Sequence, residues 1–187
     1  MRYGVVFREI LESELPPLRW PRLFRSLRLM EFSGEVVAGR FFNGIPGLQF
    51  ASLAALEALG TALPENAVFW MNAADPASLC GAALEGLRGV LPSRLVTTQV
   101  VFHGSKVVLV SRRTGVELEF RVPPDAPRIP DYLSFVRELT ERDVRPLSAV
   151  RVERINGQPV AGSPYRERLI DFGFVEDYKR LAFRARP

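Results

Sequence analysis

Side chains able to do covalent or acid–base chemistry are few and scattered. The chain has one cysteine, Cys80, and one histidine, His103. A nucleophile needs a base within hydrogen-bond reach and a third group to orient that base. Cys80 sits in the apolar run Leu-Cys-Gly-Ala, which suits a small buried residue. His103 opens a hairpin-like His-Gly-Ser turn with no acid beside it, which suits a solvated ring. One histidine and one cysteine cannot build a structural zinc site. Among the acids, Asp75 precedes Pro76 and reads as a helix cap, while Asp171 and Asp177 flank Gly173 too far apart for one helix face. No Gly-x-x-x-x-Gly-Lys-Ser/Thr occurs, so the chain has no P-loop and is not expected to hydrolyse ATP by itself. Nor is there a Gly-x-Ser-x-Gly elbow, and Gly39, Gly44 and Gly47 lack the dinucleotide-binding spacing. The expectation is a chain with no catalytic residue, no metal and no cofactor of its own.

The denser chemical signal is cationic. Of 25 basic residues only Lys106 and Lys179 are lysines, and the net charge is +4. A coding bias toward arginine is one explanation. The other is that arginine forks suit phosphates and base edges. Arg22, Arg25 and Arg28 recur every three residues, with Arg19 just before them. That spacing marks one face of a helix, either a solvated face neutralised by Glu9, Glu12 and Glu14 or a row of phosphate contacts. Beyond it lie Arg40, Asn43 and Gln49 in a glycine-rich stretch, where a bare backbone could approach phosphates closely. Together with Lys106, Arg184 and Arg186, these are the candidate nucleic-acid-binding residues. Whether Arg40 faces a backbone phosphate or pairs with Glu31 or Glu35 stays open.

The elements that must position these residues fall in three sections. In residues 1–63, Val5 to Ser13 has helical spacing, and Leu15-Pro-Pro-Leu18 breaks it. A second helix runs from Trp20 or Pro21 to Phe32, with Trp20, Leu23, Phe24, Leu27 and Met30 on one apolar stripe and Gly34 as its cap. Glu35 to Phe42 reads as a strand, Asn43-Gly44 and Pro46-Gly47 as turns, Leu48 to Phe50 as the returning strand, and Ala51 to Leu59 as a short helix. Helix, turn, helix and hairpin in that order make a winged helix. In residues 64–122, Ala67 to Met71 is an apolar strand and Asp75-Pro76 starts a helix over 77–84. Leu95 to Phe102, Lys106 to Ser111 and Val116 to Val122 then form an antiparallel, barrel-like meander. Four prolines between Pro123 and Pro130 suggest a stiff boundary. Residues 123–187 add a helix over 131–142, a hairpin turning at Asn156-Gly157, a helix from Ser163-Pro164 to Gly173 and a final alternating strand. The class is α+β: a winged helix, an antiparallel β-rich section and a small C-terminal α/β section. No stretch approaches about 18 uninterrupted apolar residues, so no membrane span is expected. The lone cysteine permits no intrachain disulfide, and a cytoplasmic setting follows as the expectation.

Several segments in order resemble the C-terminal region of the large helicase-related (Lhr) proteins, superfamily-2 DNA helicases of bacteria. They are Arg2-Tyr-Gly-Val-Val-Phe-Arg8, the pattern Leu27-x-x-Met-Glu-x-x-Gly-Glu-Val-x-x-Gly-Arg-Phe-x-x-Gly-x-x-Gly-x-Gln-Phe50, Ala73-Ala-Asp-Pro-Ala-Ser-Leu79 and Ile155-Asn-Gly-x-Pro-Val160. Ser163-Pro164 and Gly173-Phe174 complete the set. Ser78 stands where the family usually has asparagine, and the 27–50 pattern is the most specific. The resemblance implies an accessory module that binds and orients DNA, with RNA or a hybrid left open, for helicase motor domains in cis or in trans. ATP and Mg would belong to those motors. The family's C-terminal region is also similar in architecture to winged-helix DNA glycosylases, and base excision is associated with some long members. The Gln-x-Gln or Gln-x-Asp signature of those glycosylases is missing, and Gln99 in Thr-Thr-Gln-Val-Val does not supply it. Base excision assisted by an acid such as Asp75, or a protein-interaction platform built on Phe41 or Phe42, are the alternatives.

Overall fold

The computed structural model describes residues 3–12, 14–61, 64–82 and 84–185. It divides into two compact units, residues 1–63 with 79–91 and residues 64–78 with 92–187. Both are mixtures of helix and antiparallel sheet, so the class is α+β.

The first unit begins with strand β1 (Val5–Val6) and 3-10 turns at Glu9–Leu11 and Pro16–Leu18. Helix α1 (Trp20–Phe32), strands β2 (Val36–Gly39) and β3 (Gln49–Ser52), and helix α2 (Leu53–Gly60) follow. The three strands pair antiparallel in the order β1-β3-β2. The helical spacing of Val5 to Ser13 misled: Val5 pairs with Ala51 and Val6 with Phe50. Pairing partners far along the chain overrode a local period, and Val5 and Phe7 are buried while Val6 between them is only half-buried, the two-residue alternation of a strand. Ser13 itself lies outside the described residues.

Helix α1 forms as its spacing predicts. Pro21 sits in the first turn, where its missing N–H costs nothing. Gly34 ends the helix at φ 78°, and the Glu35 amide returns to the Met30 carbonyl at 2.8 Å. Trp20 and Phe24 turn inward, each with its ring 6.0 Å from that of Phe50. Val5, Phe7, Ile10, Leu11 and Ala51 complete this small core. The Ser52 hydroxyl caps α2 by accepting from the Ala55 amide.

The second unit carries β4 (Val68–Asn72), β5 (Gln99–His103), β6 (Lys106–Arg112), β7 (Glu117–Phe120), α3 (Ile129–Tyr132) and α4 (Ser134–Glu141). It continues with β8 (Ala149–Val152), β9 (Arg154–Ile155), β10 (Gln158–Pro159), α5 (Arg166–Phe172), β11 (Val175–Asp177) and β12 (Arg180–Arg184). One sheet runs β10-β9-β7-β6-β5-β4, antiparallel except for the β7–β9 pair, and a second runs β11-β12-β8. Among the described residues the meander stays open, with β4 and β10 as its two edges, and closes no barrel.

The expected second and third sections share a single core. Leu109, Leu118, Phe135, Val136, Val152, Ile155 and Leu169 pack in one cluster drawn from both. The proline-rich segment is therefore internal to a unit. Pro130 sits in the first turn of α3, Ile129 is fully buried, and the Tyr165 hydroxyl donates to the Val122 carbonyl at 2.5 Å. Asn156 ties the sections further. Its Oδ1 accepts from the Phe120 amide and its Nδ2 donates to the Phe120 carbonyl, so a side chain completes the edge of β7. Among the described residues no helix is long and apolar enough to cross a membrane.

Candidate nucleic-acid interface

The nine residues between β2 and β3 form the wing, and Gln49 shapes it. Its side chain is fully buried. Oε1 accepts from the amides of Phe41 at 2.9 Å and Phe42 at 2.8 Å, while Nε2 donates to the carbonyls of Phe42 at 3.0 Å and Ile45 at 3.3 Å. Every polar atom of the amide is engaged within the loop. Gln49 thus serves the backbone of the wing, and the expectation that it touches nucleic acid directly is corrected. Gly44 and Gly47 adopt φ values of 80° and 85°. A Cβ at either would meet nothing within 4 Å, so the conformation, not crowding, asks for glycine.

Between the end of α1 and the wing the acids are spoken for. Glu31 pairs with Arg28, and the Glu35 carboxylate accepts from the Ser33 hydroxyl at 2.6 Å. Neither takes Arg40, which is exposed and has no ion pair among the described residues. Arg22 and Arg25 stand exposed on α1, likewise without an ion pair among the described residues, and Asn43 is exposed at the wing's turn. Arg28 differs: besides its ion pair, its guanidinium lies 5.4 Å from the centre of the Phe32 ring. Arg19 is held by one nitrogen, Nε donating to the Glu14 carbonyl at 3.2 Å. Residues 19–49 hold five arginines against two glutamates, and the glutamates are engaged. The helix–wing surface is a source of positive potential with three uncommitted guanidinium groups, those of Arg22, Arg25 and Arg40.

The second unit treats its arginines differently. Arg112 and Arg121 both grip Glu119, at 2.6 and 2.8 Å. Arg113, Arg128, Arg151, Arg166 and Arg180 each face a carboxylate as well. Burial would raise the Glu119 carboxyl, but the hydrogen bonds and charges of Arg112 and Arg121 outweigh it and hold the group below the usual carboxylate range. Lys106 at the start of β6 and Arg184 at the end of β12 are exposed, and both belong to this unit, not to the helix and wing. Arg186 lies outside the described residues.

Three further groups stand differently from their sequence reading. His103 is not a solvated turn residue. Its Nδ1 lies 2.8 Å from the Tyr132 hydroxyl and its Nε2 3.0 Å from Arg128 Nη1. A guanidinium only donates, so Nε2 accepts and the ring proton sits on Nδ1, donated to Tyr132. Burial raises the Tyr132 hydroxyl above its ordinary range, partly offset by the Arg128 charge. The segment after Asp75 makes turns, not helix, over residues 76–82; residue 83 of the expected helix over 77–84 lies outside the described residues. Asp75 Oδ1 does accept from the Ala77 amide at 2.8 Å, but Arg94 takes the carbonyls of Ala74, Asp75 and Ser78. Gly81 then turns the chain at φ 74°. Arg94 was not legible beforehand, since nothing in its neighbourhood marks a residue that clamps a loop 16 to 20 positions away. Phe41 is half-buried against the core of the first unit, which removes it from any exposed apolar platform, while Phe42 remains 39% exposed.

A helix leading straight into a two-stranded wing on a three-stranded sheet defines a winged-helix domain, a class that meets nucleic acid through the helix and the wing. Residues 1–69 match the winged-helix domain of large helicase-related proteins. Over 182 residues the chain is 25% identical to the Lhr helicase/uracil glycosylase of Escherichia coli (strain K12), a match covering 92% of this chain and 12% of that protein. Both findings agree with a resemblance to the C-terminal region of the large helicase-related proteins.

Proposed function

We propose that this chain is a nucleic-acid-binding accessory module of an Lhr-like helicase, and that it grips and orients duplex DNA for an ATP-driven motor. The observation that carries this is the set of uncommitted cations on one winged helix: Arg22 and Arg25 on α1 and Arg40 in the wing. Each guanidinium that meets a phosphate releases condensed counterions, so binding should weaken steeply with salt, with a log–log slope of about −0.9 per phosphate contact. Asn43 at the wing tip and the glycine backbone beside it would add uncharged contacts. Arg28, already paired with Glu31, contributes less.

Fluorescence anisotropy on a labelled, tailed duplex across a sodium chloride series tests this. The Arg22→Ala/Arg25→Ala/Arg40→Ala variant is expected to lose about 3 units of slope, and Arg28→Ala well under one. Undetectable binding at low salt, or an unchanged slope in the triple variant, would refute the assignment.

The name of the E. coli relative favours a second reading, excision of uracil. An acid such as Asp75 would have to assist, yet its Oδ1 is engaged by the Ala77 amide. Alkali-dependent scission of uracil-containing DNA by the clean protein, abolished by Asp75→Asn, would support that reading, and its absence would remove it.

A further inference from the structure

Beside the helix–wing surface the first unit has a cleft that neither the wing nor the duplex reading uses. It is an open groove of about 470 Å³ lined by Arg8, Leu11, Glu12, Arg19, Trp20 and Phe24. That volume falls within the range of small-molecule sites, about 300–1,000 Å³. Its wall is aromatic: the rings of Trp20 and Phe24 lie 5.4 Å apart, tilted by 48°, and both are half-buried. Its rim is charged, with two guanidinium groups against one carboxylate. Arg8 and Glu12 are exposed and form no ion pair with each other or with other described residues. Arg19 is fixed through Nε to the Glu14 carbonyl, and its Nη1 and Nη2 bond to none of the described residues.

A half-buried aromatic wall next to exposed guanidinium groups is an arrangement that stacks an unpaired base while neutralising its phosphate. A base inside a duplex is already stacked on both sides and cannot enter. We propose that this cleft takes one unstacked nucleotide of a single strand, with the base on Trp20 and the flanking phosphate on Arg8 and Arg19. The inference rests on the nucleic-acid reading above. It adds that the chain distinguishes a single-stranded tail from the duplex, with a site for each.

The test uses the full chain in a Trp70→Phe background, so that Trp20 is the remaining tryptophan of the two. A short oligo-dC strand and a blunt duplex of equal length are titrated, following Trp20 emission and the anisotropy of labelled DNA. The single strand is expected to quench Trp20 saturably. Trp20→Ala should weaken single-strand binding about tenfold or more, and Trp20→Phe, which keeps the packing against Phe50, should weaken it less. Arg8→Ala should weaken the single strand several-fold and leave the blunt duplex unchanged. If the duplex binds but the single strand neither quenches Trp20 nor responds to Arg8→Ala, the cleft assignment falls while the helix–wing reading stands. If neither DNA binds, both fall. Circular dichroism of each variant guards against a loss of binding caused by unfolding.

Discussion

Replacing Gln49 with leucine would leave every charge on the helix–wing surface in place and remove the group that shapes the wing. Leucine matches the buried volume approximately, so the transfer of apolar surface is not what changes. What changes is four hydrogen bonds, to the amides of Phe41 and Phe42 and the carbonyls of Phe42 and Ile45. At about 0.5–1.5 kcal/mol each, four such bonds contribute about 2–6 kcal/mol. The wing is open to water, which can rehydrate the freed groups, and the contact to Ile45 is long at 3.3 Å. The lower part of that range, about 2–4 kcal/mol, is therefore expected. Urea denaturation gives the total. Amide hydrogen exchange locates it, since protection should be lost at Phe41 and Phe42 but retained across β5 and β6 in the second unit. Duplex affinity should also fall although no cation has been removed, because Arg40 and Asn43 would no longer be held in one loop geometry. A stability change below about 0.5 kcal/mol with exchange at Phe41 and Phe42 unaltered would refute the reasoning, because the buried amide would then not be what folds the wing.

Other positions give independent tests. Gly115 is buried at φ 96°, and a Cβ there would overlap Val150 Cγ1; Gly115→Ala should cost about 2–4 kcal/mol by thermal or urea unfolding. Glu119 yields a pH test: its folded carboxyl lies below the ordinary range, so its contribution is present above the unfolded value of about 4.3 and is lost as pH falls through the lower folded value. Glu119→Gln should therefore be less stable than the parent at neutral pH, by about 1 kcal/mol or less for a pair this close to solvent. The difference should vanish in acid, and urea midpoints measured down the pH scale will show whether it does.

Much of the first unit could be read from local pattern. The α1 stripe, its proline start, its glycine end and the paired turn glycines of the wing depend on spacing and on backbone conformations that residue type alone restricts. Cations at 22, 25 and 40 could likewise be identified as a set. Their freedom could not, because Glu31 and Glu35 were equally plausible partners until the first was found on Arg28 and the second on Ser33. Gln49 illustrates the opposite error. A polar residue in a glycine-rich hairpin looks like a contact residue, and whether its amide points at a ligand or at its own loop depends on where nine backbone positions lie in space.

The second unit needed more of the tertiary structure. Alternation predicted its strands, but not that β7 would lie parallel to β9, that β12 would pair with β8, or that the proline-rich segment would be absorbed into a core shared by the flanking sections. Arg94 clamping the turn after Asp75, and His103 held between Tyr132 and Arg128, belong to the same class of fact. The α+β class, the helix-then-wing order, the arginine row and the resemblance to large helicase-related proteins are each a matter of residue type and spacing along the chain. Which cations are free, which polar groups are buried and satisfied, and the meeting of Arg8, Arg19 and Trp20 along one cleft emerge with the folded chain. Those are consequences of contacts between residues remote in sequence, whose free energy no local window contains.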